Sequence, residues 1–442
     1  MPAKKKAPPA HFAQASPTKR FFISVLVKDL LLMDAIVELV DNVVDAARTG
    51  KTPLKKIRVE INYDRGRFEI RDNAGGISIA TAENYAFRFG RAMGAPKTPG
   101  SVGEFGVGMK RALFKMGRLF IVESKTVKDW FKLPVDVDVW EALPETDPNA
   151  WKFKFEFARK NPTTKTGTVI TVSRLYDYTV EDFTSGNFET RLADRLKETH
   201  AESLGAGLKI VVNKTPVTAE KAVLQVSKEL RPIHKSLAVT IDGKKVDVDL
   251  WAGTGEPRLI DAGWYIYCNG RLIERADKSQ KTGWNTELDG SRTPKPHWQF
   301  RRFRGYVFFE STHGDVLPWN TTKTNLDVEA PVYRRVLNDM TTALHSVIEF
   351  LNAVDEEASA EDRPLSSILE TAKMAELADI RGNSNFTWKK RGGSSSPRFA
   401  IITYKRPAEL VEAVRERLDV AKNFQIGERT FDYYVEAESI DG

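Results

Sequence analysis

Glu38-Leu-Val-Asp-Asn42-Val-Val-Asp45-Ala46 decides how the first half of this chain is read. It lies within residues 29–49, where Ile36, Val37, Val40, Val43, Val44 and Ala47 recur at helical spacing and Gly50 offers a stop. The predicted helix has an apolar face for a core. Glu38, Asn42 and Asp45, spaced four and then three, share one face. A carboxylate, an amide and a carboxylate in a row suit a hydrated magnesium–phosphate group. An Asn carbonyl oxygen can ligate Mg²⁺, and a carboxylate can take a proton from attacking water. The same triplet also suits a solvent-facing helix surface, and alone it leaves both readings open.

Working outward, strands are expected at 56–62 and 67–71, joined by a turn at 63–66. Asp72-Asn73-Ala74-Gly75-Gly76-Ile77 ends the second strand. Adjacent glycines there let the backbone turn tightly and approach a ligand, and an Asp can accept a hydrogen bond from an exocyclic amine; a plain turn is the alternative. A short helix near 81–89 precedes the run 90–103, whose four glycines and two prolines suit a mobile lid. Gly103-Glu-Phe-Gly106-Val107-Gly108-Met-Lys110 then opens a helix. Glycines before a helix start leave N–H groups facing an anion, and Lys110 adds a charge. The spacing is neither the Walker A loop nor the dinucleotide fingerprint. Further strands are expected at 118–125, 151–157 and 167–174, the last beginning Gly167-Thr168. Helix and strands together predict a two-layer α/β sandwich.

Each motif alone is weak, but their order is specific. Together they resemble the four nucleotide-binding motifs of the GHKL superfamily, which includes gyrase, MutL, MORC proteins and the large heat-shock chaperones. Ala74 stands where that family usually has Gly. The resemblance implies an α+β chain: a Bergerat ATP-binding sandwich at 21–205, a transducer-like α/β domain at 206–353, and a linker with a small C-terminal module at 354–442. It implies ATP and Mg²⁺ as ligands. Glu38 would activate water and Asn42 would coordinate Mg²⁺, with Asp45 supporting it. Asp72 would recognise adenine with help from Thr168, and Gly76 would shape the base pocket. Gly103, Gly106, Val107 and Gly108 would wrap the phosphates, with Lys110 beside them.

The second half narrows the branch. Trp264-Tyr-Ile-Tyr-Cys-Asn269-Gly270-Arg271 resembles the strand–turn of transducer domains. Pro318-Trp-Asn-Thr-Thr-Lys323-Thr-Asn-Leu-Asp327 resembles the following loop, whose lysine reaches the γ-phosphate. Lys323 is the candidate for that role; an exposed loop lysine is the alternative. A long helix should begin near Val328. The acidic stretch 355–363 and the Gly/Ser-rich stretch within 381–398 look like linkers, followed by a strand at 399–405 and helices. The resemblance is closest to MORC-like and bacterial stand-alone ATP-binding proteins. It implies an ATPase acting as an ATP-gated dimeric clamp on DNA or a protein partner. A chaperone-like binding module with little turnover is the alternative. A histidine kinase fits less well, because that group usually carries Asn where Glu38 stands.

Composition sets outer bounds. The single cysteine, Cys268, excludes a disulfide within the chain and a cysteine-rich metal site, and fits a reducing cytoplasm. The most apolar stretch, Phe21 to Val40, is interrupted by Lys28, Asp29, Asp34 and Glu38, so no membrane partner is expected. A net charge of +7 permits nucleic-acid contact without requiring it. Residues 1–20 hold Lys4, Lys5, Lys6, Lys19 and Arg20 and no acid, which reads as a disordered basic tail.

Overall fold

The predicted first helix forms as α1 (Leu32–Thr49), ended by Gly50, whose amide caps the Ala46 carbonyl. It starts three residues later than the periodicity suggests, because Leu30 closes a turn onto Val27. Ile36, Val37, Val40, Val43 and Val44 are all buried. Each such side chain contributes about 1.5–3 kcal/mol when fully removed from water, which holds the helix on its sheet. This computed structural model describes residues 13, 15–50, 52–90, 100–102, 106–160, 165–288, 291–320, 322–357, 363–380, 385–388, 405–420 and 422–438. Most of the expected lid, with Gly103, lies outside the described residues, as do the expected strand at 399–404 and the Lys4–Lys6 run.

The sheet beneath α1 has eight strands: β1 (Arg58–Tyr63), β2 (Arg67–Asp72), β3 (Gly117–Lys125), β4 (Asp129–Asp136), β5 (Phe157–Lys160), β6 (Gly167–Leu175), β7 (Lys209–Val212) and β8 (Thr215–Val217). Their order is β5-β4-β3-β6-β2-β1-β7-β8. Every pairing is antiparallel except β1 with β7, where Val59 faces Ile210 and Ile61 faces Val212. Alternating residues such as Phe68, Ile70, Phe120, Val122 and Val172 share one core with α1, the helix Gly108–Met116 and the helix Phe188–Thr199. The arrangement is the expected two-layer sandwich.

A second, five-stranded sheet runs in the order Ile233–Ile241, Lys244–Thr254, Phe303–Glu310, Gly263–Cys268, Arg271–Asp277. The last two strands form a hairpin whose tip, Asn269-Gly270, has positive φ at both residues, as a tight two-residue turn demands. The long helix Pro331–Glu356 packs Val336, Met340, Leu344 and Val347 into the same core as Leu250, Ile266, Val307 and Phe309. Thus a mixed α/β sandwich is followed by an additional α/β domain. Among the described residues no helix is long and apolar enough to cross a membrane.

Several expectations need correction. The boundary at 205 falls too early, because β7 and β8 complete the first sheet. Part of the region from 354, expected as a linker and small C-terminal module, packs with the second domain: Leu365, Ile368 and Leu369 of the helix Pro364–Thr371 join its core. The expected strand 151–157 starts only at Phe157; before it, Phe153 and Phe155 pack on the core and the Glu156 amide makes a backbone bond to β4, at the Lys132 carbonyl. Lys19 is not part of a loose tail, since its ammonium donates to the carbonyls of Trp140 (2.7 Å) and Leu143 (2.6 Å).

The C-terminal unit is a pair of helices, Ala408–Leu418 and Asn423–Ala437. Asp419 leaves the first in the left-handed conformation, and the Arg429 guanidinium donates to the Leu418 carbonyl at 2.9 Å.

Candidate nucleotide site

Helix α1 presents its polar residues in two directions. Leu39, Asn42, Val43 and Ala46 line a cavity of about 70 Å³, closed on its other sides by Ile70, Asp72, Gly76, Ile77, Met109, Thr168 and Ile170. Asp72 and Thr168 therefore meet Asn42 across an otherwise apolar slot. The Asp72 carboxylate accepts the Ala74 amide at 2.8 Å. Burial pushes its pKa up to about 6, while the amides of Ala74 and Thr168 pull the other way. Thr168 and Ser124 share a hydroxyl–hydroxyl hydrogen bond at 2.9 Å, and Ser124 accepts the Ile77 amide at 2.7 Å.

The turn after Asp72 shows why glycine is required there. Gly76 has φ +76°, and a Cβ on it would lie 2.1 Å from the Lys125 carbonyl oxygen. Ala74 precedes the two positive-φ residues, Gly75 and Gly76, and is not one of them, so the missing glycine carries no backbone cost.

Glu38 points elsewhere, toward the start of the helix Gly108–Met116. A Cβ on Gly108 would sit 2.1 Å from Glu38 Oε2, so only glycine lets the carboxylate reach the helix end. That helix has Val107 as its N-cap, which supplies no side-chain acceptor for the first-turn amides. Lys110 behaves differently from expectation: its ammonium is taken up by the carbonyls of Ala86 and Gly106, and burial pulls its pKa down to about 7. It steadies the glycine loop from behind and does not line the cavity. Asp45 accepts the Val102 amide at 2.7 Å, which ties α1 to the end of the expected lid.

Lys323 comes from the second domain and ends beside Glu38, Nζ to Oε2 3.4 Å, with φ +54° in its loop. It is only 3% exposed, which removes the exposed-lysine alternative. Its ammonium also lies 3.5 Å from Asp41 Oδ2. Asp41 was not foreseen from sequence. It is 1% exposed, ion-paired to Arg271, and 3.8 Å from His200 Nε2. Burial drives the His200 pKa down to about 3, with Lys323 adding to the effect, so this imidazole is neutral.

The apolar slot with a single carboxylate, the glycine-led helix start and the Glu38 carboxylate all lie beside α1. The sequence family described as histidine kinase-, DNA gyrase B- and HSP90-like ATPase matches residues 31–156. The chain carries a GHKL ATPase domain. The match takes in three of the four motifs, and Thr168 completes the GHKL set just beyond it. No curated protein sequence matches the chain. A larger cavity of about 320 Å³, lined by Tyr265, Tyr306, Arg304 and Glu198 among others, holds none of the GHKL motif residues. Size would choose that cavity, and chemistry chooses the smaller one.

Proposed function

We propose that the chain hydrolyses ATP and uses the cycle to close and reopen a clamp. The observation that carries this reading is the alignment along α1: Asp72 at one end, Glu38 against the glycine-led helix start at the other. In this reading the adenine amine donates to Asp72, and Thr168 assists. Gly76 keeps the base pocket open. Gly103, Gly106, Val107 and Gly108 offer amides to the phosphates, an anion site of the helix-N-terminus type. Glu38 takes a proton from the attacking water.

The donor set also suits Mg²⁺. Asn42 gives its amide N–H to the Glu38 carbonyl at 2.9 Å, leaving its own carbonyl oxygen as the acceptor for a cation. Magnesium commonly needs only one or two protein oxygens beside those of the phosphates. When bound it would neutralise phosphate charge. Asp45 stays one turn away and holds the lid end.

Lys323 is the proposed γ-phosphate contact, a mobile point charge delivered by the second domain. Its movement from Glu38 to phosphate would couple nucleotide state to domain position. ATP-dependent dimerisation, a MORC-like branch and a DNA client complete the proposal. A cytoplasmic setting fits the single reduced cysteine.

A second reading, a nucleotide-gated module with little turnover, is favoured by Lys323 resting on Glu38, because a carboxylate engaged by an ammonium is a poor base.

Steady-state hydrolysis with Mg²⁺, wild type against Glu38→Ala, with and without double-stranded DNA, tests both. Turnover that needs Glu38 supports the ATPase, and stimulation by DNA supports the DNA clamp. Tight binding with no turnover in either protein selects the second reading. Normal hydrolysis by Glu38→Ala overturns the role of Glu38.

A further inference from the structure

Asp34, Glu38, Asp41 and Asp45 form an acidic stripe along α1 at spacings of four, three and four, and each is met by a different part of the chain. Arg195 reaches Asp34 at 2.9 Å, and Lys323 reaches Glu38 at 3.4 Å. Arg271 pairs with Asp41, and the Val102 amide donates to Asp45 at 2.7 Å. Asp41 stands apart, because three groups from outside α1 converge on it: Arg271, Lys323 and His200.

Asp41 and Arg271 are each 1% exposed. A buried ion pair is a poor source of stability, since two apolar side chains of the same volume often do as well or better. Its value lies in fixing geometry. Arg271 has one fixed carboxylate. Lys323 does not: its ammonium donates to Glu38 at 3.4 Å and lies 3.5 Å from the Asp41 carboxylate. Two acidic side chains, Glu38 and Asp41, stand against two basic ones, Arg271 and Lys323.

We propose that Asp41, held in place by Arg271, is a positioning residue for hydrolysis: it shares the Lys323 ammonium with Glu38 and so keeps Lys323 from locking the base. This rests on the ATPase reading above. With the Asp41 carboxylate 3.5 Å from its ammonium, Lys323 has a second resting point and Glu38 retains an open lone pair for the water proton. Without that carboxylate, as in Asp41→Asn, the ammonium is left to Glu38 alone, and the base stays engaged.

The test is a double-mutant cycle on kcat and KM for ATP, using Asp41→Asn, Lys323→Ala and the double variant, alongside the affinity for a non-hydrolysable ATP analogue and thermal melts. Asp41→Asn is expected to lower kcat about 10-fold or more while analogue affinity changes less than about 3-fold. The double variant should match Lys323→Ala alone, because Asp41 acts through that lysine. Arg271→Lys, which keeps the charge and loses the planar fork, should fall between wild type and Asp41→Asn. Losses that multiply in the double variant, or an unchanged kcat in Asp41→Asn, overturn the proposal. Should Asp41→Asn fail to fold, an unchanged kcat in Arg271→Lys does the same. Absence of wild-type turnover removes the ATPase reading and this proposal together, whereas turnover with multiplying losses removes this proposal only.

Discussion

Replacing Asp72 by Asn separates what this carboxylate does for folding from what it does for nucleotide. Burial raises its pKa from 3.8 to about 6, a free-energy penalty on the ionised form of about 3 kcal/mol. The sign follows from proton counting. Below pH 4 the carboxyl is protonated in both folded and unfolded chains, and no penalty exists. Between pH 4 and 6 the unfolded chain ionises while the folded one holds its proton, so stability falls as pH rises. Above pH 6 the full penalty is present. Asn cannot ionise and keeps an oxygen for the Ala74 amide, but brings an NH₂ that needs partners. Asp72→Asn is therefore expected to stabilise the nucleotide-free protein by about 1–3 kcal/mol at pH 8 and by nothing at pH 4. Each kcal/mol corresponds to about 2–4 °C in melting temperature for a domain of this size. The same change should weaken ADP about 10- to 100-fold, because an NH₂ now faces the adenine amine. Melts from pH 4 to 8 and ADP titration by calorimetry measure both. A variant that melts below wild type at pH 8, or a gap that does not close on acidification, refutes the burial argument. Unchanged ADP affinity refutes the adenine role.

Three further outcomes follow from close contacts. Gly108→Ala places a methyl group where Glu38 Oε2 lies, at 2.1 Å; kcat should fall at least about 100-fold with a melting temperature within a few degrees of wild type, since the far end of a side chain can move. Gly305→Ala sets a Cβ 2.3 Å from the buried Trp264 ring; the sheet cannot yield there, and a loss of about 3 kcal/mol or more should appear in denaturant melts. Lys19→Met removes the ammonium from the Trp140 and Leu143 carbonyls; a loss of about 1–3 kcal/mol is expected, where a disordered tail would show none.

The elements legible in the sequence were those with strong period and clear ends. Helix α1 has both an apolar stripe and Gly50, and β2 and β6 alternate cleanly, β2 after Gly66 and β6 from Gly167. Strand β4 was hidden because Pro134 sits inside it and acids stand at both ends, although its other alternate residues, Phe131, Leu133 and Val135, are buried. Asn42 and Glu38 were expected on one helix face; they stand one turn apart, yet one faces the cavity and the other faces Gly108 and Lys323, which helical spacing alone could not say. Asp41 looked like any helix-surface acid, because what defines it is Arg271, on a strand of another domain. Its one signal was the regular acidic spacing from Asp34 to Asp45 on a helix otherwise destined for burial. The wrong boundary at 205 has the same origin: a short apolar run such as Lys209–Val212 does not announce which strand it will pair with.

That pairing governs how the protein is made. β1 and β7 join residues roughly 150 positions apart, and parallel, distant contacts form slowly because the loop between them must close first. During synthesis the edge of β1 stays bare until Val212 has left the ribosome, exposing a strand built on Val59 and Ile61 to other chains. A recombinant fragment cut at 205 would carry that raw edge permanently and should aggregate, whereas one extended to residue 217 carries its own cover.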